Sequence, residues 1–450
     1  MSEKHCFMVC IRDKIFMRKN LTGVIYMLKS FQISNFNSVN EPIVFSMEPV
    51  AELSEHLDYI THLDTDNALL KVASIYGPNA SGKSNVLNTL SFVKDFVYGY
   101  LSREYIKYSP YLHATYSPFA FTHEDNRYVE ASLTFARPGK EYWYHFRAEY
   151  INENSLILKI IDEFFGVKHQ GEQDYNFIFQ RENDVINADQ ILKTLGATKL
   201  PLSNDMVLLR YLYMNYINID ETNNNQLSLD PYMMYVKELF EEITSLTFLS
   251  NLSDMSKNVF KRNGDFINKY KLFIIESLKR LDIQITDIEV EEIGKRNYQV
   301  LCVHEVDGKK YKLRVEQESQ GTTLLIYLLA MVASRKNRPT IFIIDELDSH
   351  LHPKLIQEII ALFNSNINQY NQLLFNSHDM WNMVPEQFRR DQIWFTYRNE
   401  YLATELVCLS DIINYKGERV RKDAKFSKQY MEGKYGADPF IRKGLDWYGL

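Results

Sequence analysis

The sequence predicts an α/β fold in which a mixed sheet is flanked by helices, joined to an antiparallel β meander and divided by a mainly helical insertion. Three observations carry this. Gly77-Pro78-Asn79-Ala80-Ser81-Gly82-Lys83-Ser84 follows an apolar run, 69–76, and opens a segment with Val86, Leu87, Leu90, Val93 and Val97 at helical spacing. A second apolar run, 340–344, ends in Asp345-Glu346, as a central parallel strand does when it delivers acids to a sheet end. Between them, 128–135, 141–150 and 155–164 alternate apolar and polar residues, with Pro138-Gly139 as a turn.

Taken in order, residues 1–26 have no clear pattern, and an alternating strand opens at Met27, so 1–26 is expected to be an extension or a start-site artefact. Residues 27–165 are expected to form the N-terminal half of the core. Their octapeptide is a phosphate-binding loop: successive N–H groups turn inward, and the following helix aims its positive end at an anion. Gly77 and Gly82 allow angles and an approach that a Cβ blocks. Lys83 supplies a cation for β- and γ-phosphates, and Ser84 a hydroxyl for Mg²⁺.

Residues 166–300 are read as the insertion. Helices are expected over 205–216, from Asp230-Pro231 onward, and over 265–281. None sustains heptads long enough for a coiled-coil arm.

Residues 301–450 are read as the second half of the core. Glu318-Ser319-Gln320-Gly321-Thr322 precedes an apolar helix, 324–332, and a Ser-x-Gly turn there is either an anion site or an ordinary helix cap. Asp345 is the expected Mg²⁺ carboxylate, and Glu346 the group that orients or deprotonates water. Leu347-Asp348-Ser349-His350-Leu351-His352-Pro353 then leads into a helix with proline in its first turn. Gln372-Leu373-Leu374-Phe375-Asn376-Ser377-His378-Asp379 is read as a strand ending in a histidine, and His378 there can bond a γ-phosphate. Two small strands, 392–397 and 401–409, are followed by Lys416, Arg419, Arg421, Lys422, Lys425 and Lys428. That cluster is either a partner or nucleic-acid contact or a solvated loop, since Asp411, Glu418 and Asp423 lie nearby.

Composition bounds the class. The 450 residues are 45% hydrophobic and 24% charged, typical of a soluble globular protein with two or three domains. A formal charge of −7 argues against a uniformly basic nucleic-acid coat. No apolar run approaches the roughly 20 residues that span a bilayer, so no membrane partner is expected. Cys6, Cys10, Cys302 and Cys408 make no metal-ligand spacing, and the last two are expected as buried thiols. A cytoplasmic location fits all of this.

With these motifs in this order, the chain resembles ABC-type ATPases of the SMC and RecF kind. Within them it looks most like ATP-binding proteins of anti-phage abortive-infection systems, of the AbiLi, RloA and PARIS AriA type. The resemblance runs from Met27 and includes Asn35-Phe36-Asn37-Ser38, Glu318–Thr322, the Leu-His-Pro sequence and the tail Met431-Glu432-Gly433-Lys434-Tyr435-Gly436-Ala437. It implies an ABC-type core that hydrolyses ATP with Mg²⁺. Gly77 through Ser84, Asn35 and Phe36 would serve the nucleotide, Ser84 and Asp345 the metal, Glu346 as base and His378 as sensor. Ser319 and Gly321 would reach the γ-phosphate held by the opposite protomer of a head-to-tail homodimer, or of a larger assembly built from it.

One element departs from the pattern: no convincing Q-loop glutamine precedes the meander, and Ser117-Pro118-Phe119-Ala120-Phe121 occupies its place. About seventy residues follow His378, too few for a fused Toprim nuclease. The resemblance therefore implies a separate effector, such as a Toprim-like nuclease, and a phage factor as trigger. The alternative is an SMC/RecF-like repair ATPase that clamps DNA.

Overall fold

The computed structural model describes residues 25–101, 116–121, 126–152, 155–183, 185–221, 230–249, 260, 264–294, 297–334, 340–349, 351–413 and 417–436. Expectations for residues 1–24, Lys416 and Ala437 lie outside them. The chain divides into two compact units, the larger containing Tyr26–Met255 and Thr340–Leu450, the smaller containing Ser256–Pro339.

In chain order the first strands are β1 (Met27–Ser34), β2 (Ile43–Ser46), β3 (Ile60–His62), β4 (Ala68–Leu70) and β5 (Val72–Tyr76). The meander follows as β6 (Tyr128–Arg137), β7 (Lys140–Asn152), β8 (Ser155–His169), β9 (Asn176–Glu182) and β10 (Val185–Asn187). Next come β11 (Thr247–Phe248), β12 (Asp287–Gly294), β13 (Asn297–Val306) and β14 (Lys309–Arg314), then β15 (Ile341–Ile344), β16 (Gln372–Asn376), β17 (Ile393–Arg398) and β18 (Thr404–Cys408). The helices are α1 (Lys83–Val97), α2 (Asp189–Leu195), α3 (Leu208–Glu221), α4 (Pro231–Ser245), α5 (Gly264–Arg280), α6 (Gln320–Ser334), α7 (Pro353–Asn364) and α8 (Phe426–Met431).

The larger unit holds two main sheets. One is antiparallel, in the order β10-β9-β8-β7-β6-β1-β2. The other runs β11-β15-β16-β5-β17-β18 and is parallel except at β17–β18. β5 lies inside this sheet with all five residues buried, which is why it reads as continuous apolar sequence rather than an alternation. Gln372 couples the two sheets: its side chain accepts from Leu28 N and donates to Leu28 O and Leu70 O. α1 buries Val86, Leu90, Val93 and Val97, and Phe96 stacks on Phe146 of β7 with ring centroids 3.8 Å apart.

Three expectations shift. The meander continues through β9 and β10, past the expected boundary at 165, because 176–182 still buries Ile178 and Phe179 in the sheet. The helix expected over 205–216 runs from Leu208 to Glu221. Its start is set by a residue far upstream: buried Glu163 accepts from Leu208 N at 2.7 Å and Leu209 N at 2.9 Å. The stretch 166–300 does not form one body, since its part from Ser256 joins the smaller unit, which also takes in α6 and the Ser319 turn. There β12, β13 and β14 form a separate antiparallel sheet. The helix start at Asp230-Pro231 is as expected, with the Asp230 carboxylate accepting from Tyr232 N and Met233 N.

The basic tail carries its own acids: Arg421 pairs with Asp423 at 2.9 Å and Lys428 with Glu432 at 3.7 Å. Tyr430 and Tyr435 pack on Phe395 of β17, with centroids 5.2 and 5.3 Å away. Cys302 and Cys408 are free and buried, and burial pushes each thiol up to about 12.

Candidate nucleotide-binding site

The C-terminal ends of β15, β16 and β5, neighbours in that order, bring the motifs of the larger unit together. From β5 the chain enters the phosphate loop, where Gly77 and Gly82 have φ of +154° and +103°. A Cβ at Gly77 would stand 2.5 Å from Thr396 O, and one at Gly82 would stand 2.0 Å from Thr404 Oγ1. Both approaches exclude a side chain, so the loop closes only on glycine. Pro78 is half-buried, whereas Asn79 and Ala80 are exposed, and Ala80 takes a left-handed φ of +62°.

Lys83 is buried and folds back on its own loop, donating to Gly77 O at 2.8 Å and Pro78 O at 2.9 Å. Burial lowers its ammonium from the ordinary lysine value to about 8, against the opposing pull of Asp348, Glu346 and Asp345. The next residue, Ser84, donates to Asp345 Oδ1 at 2.8 Å. Asn376, at the end of β16, joins both acids: its Nδ2 donates to Asp345 Oδ1 at 2.5 Å, and its Oδ1 accepts from Glu346 N at 2.5 Å. Glu346 adopts a left-handed φ of +54° and is exposed. Exposed His378 is anchored through its backbone, whose N–H donates to Asp348 Oδ2 at 3.0 Å.

The family described as "AAA domain, putative AbiEii toxin, Type IV TA system" matches residues 72–380. The chain belongs to this family. The matched part of the AAA domain begins at the first residue of β5 and contains the phosphate loop, both acids, Asn376 and His378. Solved structures with a similar chain path include an Smc head domain from Pyrococcus furiosus bound to the C-terminal domain of ScpA. That likeness has 15% identity, covers 86% of this chain and 96% of that one, and has a TM-score of 0.44. Two more are an SMC head domain from Thermotoga maritima (14%, 85% and 98%, 0.39) and an Smc head domain from Pyrococcus yayanosii (12%, 86% and 98%, 0.44). No curated protein matches significantly.

The AAA domain's phosphate loop is braced by residues that the sequence reading did not single out. Ser81 Oγ bonds Thr396 Oγ1 at 2.6 Å, and Thr404 Oγ1 donates to Ser81 O at 2.9 Å. Arg398 Nε donates to Ala80 O at 2.6 Å. Ser38 Oγ bonds Thr404 Oγ1 at 2.7 Å and accepts from Asn85 Nδ2 at 2.7 Å. Ser38, Thr396, Arg398 and Thr404 all fall outside the matched residues; Ser38 closes the Asn35–Ser38 motif, and no local motif announces the other three. Asn376 did have a signal, as a polar residue ending an apolar strand just before His378.

Asn35 and Phe36, expected to serve the nucleotide, have inward-packed side chains. Both are fully buried: Asn35 donates to Asn126 O and Tyr128 O and accepts from Phe119 N, while Phe36 packs on Phe92 and Tyr116. With their contacts used internally, they hold the Asn37-Ser38 turn rather than offer side chains to a ligand. The segment in the Q-loop's place is fastened to the same turn, since Ser117 N donates to Asn37 Oδ1 at 2.9 Å.

Ser319 and Gly321 belong to the smaller unit. Ser319 is exposed at the start of α6, its Oγ accepting from Thr322 N at 3.1 Å, and Gly321 is buried in the first turn.

The donor set of the larger unit fits Mg²⁺ with a polyphosphate. A hydroxyl and a carboxylate stand in contact beside a glycine cradle that a Cβ would fill.

Proposed function

We propose that this chain is a Mg²⁺-dependent ATP-hydrolysing switch in an anti-phage, abortive-infection system, controlling a separate effector such as a Toprim-like nuclease. The observation that carries the ATPase reading is the cluster Ser84–Asp345–Asn376–Glu346, held by hydrogen bonds at adjacent strand ends beside the phosphate loop. The defence reading is supported by the family description, which names a toxin of a toxin–antitoxin system.

In this mechanism the loop N–H groups and Lys83 hold the triphosphate in line for attack. Ser84 and Asp345 would hold Mg²⁺, which when bound neutralises charge on the β- and γ-phosphates. Glu346 takes a proton from water as its oxygen bonds the γ-phosphorus. The bridging P–O bond breaks, leaving ADP and phosphate, and the proton passes from Glu346 to solvent. His378 bonds a γ-phosphate oxygen. Ser319 and Gly321 would complete the site from a second copy, with the helix end of α6 favouring the anion, in a head-to-tail homodimer. A phage factor would then shift the balance of closed and open states.

The test is a pair of variants. Glu346→Gln should retain ATP and accumulate the closed dimer on a sizing column, whereas Lys83→Ala should bind no ATP. Wild-type hydrolysis by the Lys83 variant would overturn the site, and a monomeric Glu346 variant saturated with ATP would overturn the dimer. A steep salt dependence of ATP-dependent DNA binding would instead favour a DNA clamp.

A further inference from the structure

The two sheets of the larger unit each end in an edge strand along one groove. β2 pairs only with β1, and β18 only with β17, among the described residues. Both line a cavity of about 490 Å³. Trp394 contributes to its apolar wall, 4.8 Å from Phe45 between ring centroids. The indole is only 7% exposed, and its Nε1 has no hydrogen-bond partner. That N–H is sealed from the groove, so the indole serves it only as apolar wall.

The charge on the groove has one sign. Glu41, Glu405 and Asp411 line it, with no lysine or arginine among the described lining residues. Glu405 is held in place by Tyr397 Oη at 3.1 Å and Asn399 Nδ2 at 2.9 Å. An open strand edge, an apolar wall and three carboxylates together select an extended backbone that carries cations. A nucleotide would bring its phosphates against the carboxylates.

We infer that this groove docks an extended, lysine- or arginine-bearing segment of a partner protein along the edge of β18 beyond Thr404, whose own N–H already donates to Ser38 O at 2.7 Å. The inference rests on the reading of this chain as a switch with a separate partner. The groove also reaches the phosphate loop through one residue: Thr404 opens β18, lines the cavity and donates to Ser81 O. Occupancy and nucleotide therefore act on the same strand.

The probe is a library of randomised eight-residue peptides, selected on the full chain and measured by fluorescence polarisation. Selected peptides should carry lysine or arginine at alternate positions and bind at least tenfold more weakly to a Glu41→Gln, Glu405→Gln, Asp411→Asn variant. Val44→Arg, on the exposed position of β2 with the acids intact, should weaken the same peptides comparably. The inference is overturned if no peptides are enriched, if acidic or uncharged ones dominate, if affinity is unchanged in both variants, or if adenosine displaces them. ATP binding is measured on the same samples. Its absence from the wild-type chain counts against the switch, while normal ATP binding without basic peptides counts against the groove alone.

Discussion

Ser84 Oγ donates to Asp345 Oδ1 at 2.8 Å, joining a residue of the first helical turn to one 261 positions later. On the proposed function the contact would make one metal-binding pair of two motifs, and each partner has a distinct expected loss. Ser84→Ala removes a ligand and the hydroxyl that orients the carboxylate, and Asp345→Asn removes the charge. For either, the affinity that Mg²⁺ adds to ATP binding should drop by at least about tenfold, as for altered metal-site residues elsewhere. Titration of ATP with and without EDTA reads this directly. An unchanged Mg²⁺ dependence in both variants would place the metal elsewhere.

Asn376 should behave as a positioning residue. Asn376→Ala leaves Glu346 N and Asp345 Oδ1 without their partner across the strand gap. Losing a bond to a charged group costs about 1.5–3 kcal/mol, which corresponds to roughly 10–100-fold in rate if it is felt at the transition state. The expected result is a fall of that size in kcat with a smaller change in ATP affinity. Equal losses in both would assign Asn376 to metal binding alone.

Why was the candidate site legible while its bracing was not? Gly77–Ser84, Asp345-Glu346 and His378 are contiguous or lie at strand ends, so hydrophobic runs beside them marked the site. Thr404 meets Ser81 across 323 positions, and Glu163 caps α3 across 45. Such contacts are made by tertiary packing, and nothing in the local sequence encodes them. Asn35 and Phe36 illustrate the converse. The motif was visible, but which of its residues face inward depends on Phe92, Tyr116 and Phe119 folding over them.

The turn that leads into β17 should be a point of global stability. Arg389 is fully buried, and its Nε and Nη2 donate to Asp391 Oδ1 and Oδ2 at 2.9 and 2.7 Å. Asp391 also accepts from Val50 N at 2.9 Å, and Arg389 donates to Glu55 O. Asp391→Ala would strand a buried guanidinium, a change that costs about 3–5 kcal/mol. Urea unfolding of the ATP-free protein should show the shift, whereas Arg421→Ala, whose pair is exposed, should move stability by less than about 1 kcal/mol.

Lys83 gives the site a pH dependence with a definite sign. Burial holds its ammonium at about 8, below the ordinary 10.5, so the free protein carries the charge below pH 8 and loses it above. A polyphosphate binds the charged form. Above pH 8 binding must therefore include proton uptake, and ATP affinity should fall by up to about tenfold per pH unit. Lys83→Arg should be flat over the same range, because a guanidinium stays charged. The stability contribution runs the other way. Between about 8 and 10.5 the unfolded chain binds more of this proton than the folded chain, so this group's contribution to stability rises with pH while affinity falls. Calorimetric ATP titrations at pH 7, 8 and 9, run in two buffers of different ionisation enthalpy, report affinity and proton uptake together. A wild-type affinity independent of pH, with no proton taken up at pH 9, would mean that Lys83 does not meet the phosphates as a cation released from Gly77 O and Pro78 O.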